Sequence, residues 1–171
     1  MNSFKRLLLA IILFIPIFLT PQVAIGQNDN APSPIIKYES VNMVDGSRYL
    51  IKRLKEKVTL FFLSLDSEKK LNYYEKLLNI RLSELKYVVD NKDIGNIQVA
   101  SQRYFTTAGQ LTNFLVSKNT LSVKKEIVKQ LFADHIKVIE ILKKSYKDTT
   151  AEWRFLRDDT NYLIDYSAQL K

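Results

Sequence analysis

From Ser47 to the end of the chain, apolar residues return every three or four positions, the spacing that gathers them on one side of a helix. The first such run, 47–65, places Leu50, Leu54, Val58, Phe61 and Leu65 on one face and Arg48, Lys52, Arg53, Lys55 and Lys57 around the rest. Asp66 and Ser67 offer an N-cap for a second run reaching Val89, with the stripe Leu71, Tyr74, Leu78, Leu82, Leu85 and Val89. After the turn Asp90-Asn91-Lys92-Asp93, a third stripe holds Ile97, Ser101, Tyr104, Ala108, Leu111 and Leu115. A break at 117–120 precedes a fourth run over 121–146 with Val128, Leu131, His135, Val138 and Leu142 in register. Beyond Lys147-Asp148-Thr149 the last stripe is Trp153, Leu156, Thr160, Leu163, Ser167 and Leu170.

No alternating strand pattern competes, and all four prolines precede residue 35, so nothing later interrupts a helix in that way. Four helices of similar length on short loops predict an all-α fold, an antiparallel up-down four-helix bundle preceded by a basic amphipathic helix, in one domain over 47–171. The stripe of that first helix is expected to pack on the bundle, because exposed pairs of phenylalanines such as Phe61 and Phe62 are uncommon on a soluble monomer.

The chain ahead of Ser47 has a different character. Lys5 and Arg6 are followed by an apolar run from Leu7 to Leu19, broken by Pro16, and by the small residues of Ala24-Ile25-Gly26. This reads as a secretory signal peptide over 1–26. An uncleaved anchor needs about 20 apolar residues, and Pro16, Thr20, Pro21 and Gln22 weaken such a span. Residues 27–46 are polar, contain Pro32 and Pro34, and read as a flexible linker.

Export, to the periplasm or the extracellular space, changes what composition means. The chain has 171 residues and no cysteine, which leaves it without disulfides in an oxidising compartment and excludes a lipid-anchored lipoprotein, a thiolate metal site and covalent haem attachment. Cleavage after Gly26 leaves about 145 residues with a net charge of about +6, suited to anionic headgroups or acidic polymers. Nucleic acid is not an expected partner outside the cytoplasm.

Pairing antiparallel helices about their turns sets His135 opposite Thr160 and Ser101, and Ser101 opposite Arg81. These four residues predict a polar layer across the bundle, read as a hydrogen-bonded register device with Asp159 as the partner of Arg81, or else as a small anion site. No nucleophile elbow, phosphate-cradling glycine loop or H-x-x-x-H pair is present, so no catalytic or metal residue and no cofactor is assigned. A haem between Met43 and His135 is disfavoured because Met43 falls in the linker.

The blocks Arg48-Tyr49-Leu50-Ile51-Lys52-Arg53-Leu54-Lys55-Glu56-Lys57-Val58, Asp66-Ser67-Glu68-Lys69-Lys70 and Arg81-Leu82-x-Glu84-Leu85 resemble a bacterial family of exported or membrane-tethered helical proteins, domain of unknown function 5667. The likeness covers about residues 45–146. In that family a Pro-Gly-Ser-Pro type turn precedes the opening block, whereas Val44-Asp45-Gly46-Ser47 keeps the glycine and serine without the prolines. The resemblance implies a helical fold in the cell envelope and carries over no catalytic residue.

The expectation is therefore an exported, non-enzymatic binding or scaffold module contacting an envelope protein or an acidic polymer. The alternative is a peripheral binder of anionic membrane surfaces through helix 47–65, using Arg48, Lys52, Arg53, Lys55 and Lys57 with Phe61 and Phe62 inserted.

Overall fold

A computed structural model describes residues 47–118 and 121–171, with the backbone alone for 47–50. The signal-peptide and linker assignments, 1–46, lie outside the described residues. The described chain is all-helical: α1 (Ser47–Phe62), a 3-10 turn (Leu63–Leu65), α2 (Ser67–Asp90), α3 (Ile94–Val116), α4 (Lys124–Lys143) and α5 (Ala151–Gln169). None of these helices is long and apolar enough to cross a membrane.

Local chemistry sets the helix ends. Asp66 takes an extended conformation and its Oδ1 accepts from the Lys69 N–H at 3.0 Å, satisfying one of the donors that a helix start leaves without a partner. Thr150 caps α5 in the same way, accepting from the Trp153 N–H at 3.3 Å. Between α2 and α3 the Asn91 amide donates to the Tyr87 carbonyl at 2.8 Å, and Lys92 reverses the chain at φ 53°. The fourth helix stops at Lys143 rather than Tyr146, because the N–H groups of Lys144, Ser145 and Tyr146 bond three residues back and tighten the last turn.

The α2–α3 and α4–α5 pairs are antiparallel hairpins, and they meet along α3 and α5. These two helices run parallel: Ser101 bonds Asp159, Phe105 stacks on Tyr162 with ring centroids 4.6 Å apart, and Gly109 faces Tyr166. α3 thus packs along α5 rather than along its successor α4, while α2 and α4, also parallel, touch through Glu68–Lys124 and Asn79–His135. Leu71, Leu78, Leu82 and Leu85 of α2 fill one core with Ile97, Tyr104, Leu111 and Leu115 of α3, Val128, Phe132 and Ile139 of α4, and Leu156 and Leu163 of α5. Each large apolar side chain buried this way contributes about 1.5–3 kcal/mol. The stripes of α2, α3 and α5 lie where the periodicity puts them; in α4 the buried line also takes Phe132 and Ile139, leaving Leu131 and Val138 half-buried at its border.

The close approach of α3 and α5 rests on Gly109, where a Cβ would stand 2.8 Å from the Tyr166 hydroxyl oxygen and 3.1 Å from its ring. A Cβ at Gly95 would meet nothing nearer than 3.9 Å. Gly109→Val is accordingly expected to lower the unfolding free energy by about 1–3 kcal/mol through overpacking. Gly95→Ala should leave it unchanged or raise it by up to about 1 kcal/mol. Urea denaturation of the two variants beside the parent checks the contrast, and equal effects would contradict the close packing at Gly109.

Candidate functional site

Helical periodicity brings one set of polar side chains into the core. Asn79 of α2, Ser101 and Tyr104 of α3, His135 of α4 and Asp159 of α5 meet there, and the last three have no exposed surface. His135 Nε2 lies 2.9 Å from Asn79 Oδ1, and Nδ1 lies 2.9 Å from the Tyr104 hydroxyl. An amide oxygen can only accept, so Nε2 carries the hydrogen and donates to Asn79, while Nδ1 accepts from Tyr104. Ser101 Oγ donates to Asp159 Oδ1 at 2.9 Å, and Oδ2 is buried with no hydrogen-bond partner.

Burial dominates the electrostatics of this layer. It pushes His135 down to about 4, against a small opposing pull from Asp134. It pushes the Asp159 carboxyl well up, with Ser101 opposing and Asp158 adding to the rise. Tyr104 is raised by burial and then by the nearby Asp159. Both nitrogens of His135 are committed to neighbours inside the core, so the ring has no lone pair to offer a reactant. The arrangement selects one register of four helices, since any slip leaves buried donors and acceptors unmatched.

The residues expected to form one layer, Arg81, Ser101, His135 and Thr160, are all buried, but only Ser101 and His135 belong to it. Thr160 turns to the α4 edge, where its hydroxyl lies 3.3 Å from Glu140 Oε1 and from its own Leu156 carbonyl. Asp159, one position earlier and about 100° around the helix, takes its place. Arg81 points to α1, and Asp159 pairs with Ser101 instead of with Arg81. Asn79, two residues before Arg81, fills the place expected of it. Among the described residues no three His, Asp or Glu side chains converge to hold a metal ion.

A second polar group joins α1 to α2. Arg81, 7% exposed, donates from Nη1 to Glu84 Oε1 and Oε2 at 2.9 and 3.0 Å and from Nη2 to Glu56 Oε2. Lys52 Nζ donates to Glu84 Oε1 at 2.8 Å. Burial opposes the Arg81 charge, but Glu84 and Glu56 outweigh it and hold its pKa above the ordinary value. Two carboxylates and two cations make the quartet neutral. The i,i+3 spacing of Arg81 and Glu84 was a visible signal for that pair, although nothing in the sequence alone joined it to Lys52 and Glu56 of α1.

This quartet sets the rotation of α1. Lys52, Glu56, Leu60 and Leu63 are half-buried toward the rest of the molecule, and the opposite face carries Ile51, Leu54, Val58, Phe61 and Phe62 into solvent. Phe61 and Phe62 are 73% and 71% exposed, and Leu65 in the following turn is 96% exposed. The expectation that the apolar stripe packs on the bundle is therefore corrected: the face that turns inward is the one whose charges find buried partners. Arg53 and Lys57 border the stripe on one side and Lys55 on the other, all exposed. The side chain of Arg48 lies outside those described. Between α1, α2 and α3 runs a cleft of about 470 Å³, its walls including Arg53, Glu56, Lys57, Arg81, Gln102, Arg103, Thr106 and Gln110.

No family model, curated protein or solved structure matches the chain.

The two titrating groups of the layer act on stability with opposite signs. Neutral His135 has a folded pKa near 4 against an ordinary 6.5, so its contribution is complete above 6.5 and is lost as pH falls from there toward 4. Asp159, raised above 3.8, contributes fully below that value, and the contribution is lost as pH rises through the folded pKa. His135→Leu should flatten the acid loss of stability, and His135→Ala should lose roughly 1–3 kcal/mol at neutral pH. Asp159→Asn should gain stability over the parent, the gain growing as pH rises above about 4. Urea unfolding between about pH 4 and pH 8 measures all three, and profiles parallel to the parent's would show that neither group titrates as buried.

Proposed function

We propose that the chain is an exported, non-enzymatic helical module that docks on anionic membrane surfaces through α1. In this reading residues 1–26 are a signal peptide, 27–46 a linker, and 47–171 one domain in which α2 to α5 form a four-helix bundle preceded by the basic amphipathic α1. The observation that carries it is the outward stripe of Ile51, Leu54, Val58, Phe61 and Phe62 between Arg53 and Lys57 on one border and Lys55 on the other. Such a face suits the boundary between headgroups and acyl chains. Each basic residue near an anionic leaflet adds about 1 kcal/mol, and the apolar side chains add the free energy of leaving water. The resemblance of the blocks at 48–58 and 66–70 to an envelope family supports the same setting, and the commitment of both His135 nitrogens supports a role without catalysis.

A second reading, a scaffold contacting an acidic polymer or an envelope protein, is favoured by the basic cleft beside α1. Co-sedimentation separates the two. Vesicles of phosphatidylglycerol should retain the protein at low salt and release it as salt rises, whereas neutral phosphatidylcholine vesicles should not retain it. Phe61→Ser with Phe62→Ser should weaken retention by on the order of tenfold or more. Equal retention by both vesicles, or by neither, would contradict the membrane reading.

A further inference from the structure

We infer that the groove between α4 and α5 is a binding site for a single-chain anionic amphiphile, a fatty acid whose acyl chain lies along the groove and whose carboxylate sits between Lys129 and Lys171. Its walls come from α4, α5 and Lys171 just beyond α5, so the site stands or falls apart from docking through α1.

Antiparallel pairing explains why a hollow exists there. The hydrogen bond from Thr160 to Glu140 fixes the register of the hairpin, and equal steps from it toward the ends away from the loop set Ile136 opposite Ile164, Ala133 opposite Ser167 and Ala168, and Lys129 opposite Lys171. All of these residues line one groove of about 480 Å³, with the fully buried Phe132 as its floor. Small side chains facing one another do not fill the space between two helix backbones, so a slot remains where larger residues would have closed the seam. Its volume lies within the usual range of small-molecule sites, roughly 300–1,000 Å³. Ile164 stands on the wall 53% exposed, so an acyl chain laid in the slot takes apolar surface out of water.

Carbon and charge are sorted along the groove. Ile136 and Ile164 stand at the end nearer the hairpin loop, and the two lysines stand at the other, about 10 Å away at the helical rise per residue. Lys125, one turn before Lys129, is engaged elsewhere, because its Nζ donates to the main-chain oxygen of Lys171 at 2.8 Å. Lys129 Nζ lies 2.7 Å from Glu126 Oε1, but that carboxylate is 78% exposed and the pair is screened by water. The Lys171 ammonium forms no ion pair with a described residue. Two ammoniums therefore share this end of the groove with one solvated carboxylate, an excess of one positive charge that a single anionic head cancels. A phospholipid would bury one chain and leave the other in water, whereas a fatty acid brings one chain and one charge.

Titrating the purified full chain with decanoate below its micelle concentration, followed by backbone amide NMR, tests the site directly. Saturable shifts in the millimolar range or tighter are expected at groove residues of α4 and α5, and decanol should bind more weakly by on the order of tenfold. Ala133→Leu fills the slot and should abolish the shifts, while Lys129→Gln should weaken binding by on the order of tenfold. Both positions lie toward the surface, and the lysine variant keeps the test readable if Ala133→Leu does not fold. Phe61→Ser with Phe62→Ser should leave decanoate binding unchanged, and Lys129→Gln should leave the response to added Phe61 substitutions on vesicles unchanged, so the groove and the membrane reading fail separately. Shifts confined to α1, no saturable shifts, or equal binding of decanol and decanoate overturns the site. Groove shifts that grow with protein concentration alone assign the slot to a second copy of the chain and overturn it as well.

Discussion

Arg81 is a guanidinium held almost out of water between Glu84 of its own helix and Glu56 of another, and the position of α1 depends on it. A charge buried to this degree is tolerated only with its partners in place, and removing one partner of such a group costs about 3–5 kcal/mol. The demand is directional, since the forked donor, the two carboxylates and Lys52 fit in one arrangement. An apolar seam would have let α1 roll until its largest stripe was covered. The quartet prevents that roll, and the surface left outside is apolar as a result.

Inside the core the same logic works with neutral groups. The chain Asn79, His135, Tyr104 links α2, α4 and α3, and the Ser101–Asp159 bond links α3 to α5, so each of these helices is tied to another by a bond that a shift of one turn would break. Leucines alone would permit several registers of similar energy, because one leucine replaces another with little loss. The cost appears in Asp159, whose second oxygen has no partner and whose carboxyl is pushed well above the ordinary carboxylate range by burial.

Periodicity revealed much of this and stopped at identifiable points. The buried lines of α2 and α3 coincide with the spacing of their apolar residues, because both helices are packed against a neighbour along their length. Heights across the core were legible closely enough to find Ser101 and His135, but Asp159 was given Arg81 as its partner instead of Ser101 and Asn79 was missed, since one position along a helix turns a side chain by about 100°. Tyr104 was legible as a core ring, while its hydroxyl became meaningful only once the imidazole was beside it. The face of α1 was misread for a different reason. Hydrophobic patterning weighs area, and the rotation of this helix is decided by a buried ion cluster whose members lie 25 and 32 residues apart in sequence.

Parallel packing of α3 on α5 divides the molecule into two local hairpins. The contacts within each hairpin close short loops, which lose little chain entropy, and they can form before either hairpin meets the other. The long-range step is the joining of the hairpins, and it is the step that places Tyr166 over Gly109 and Asp159 against Ser101. A glycine of α3 and the one buried acid of α5 thus lie on the same seam, so the joining of the two hairpins and the precision of their fit depend on a single interface.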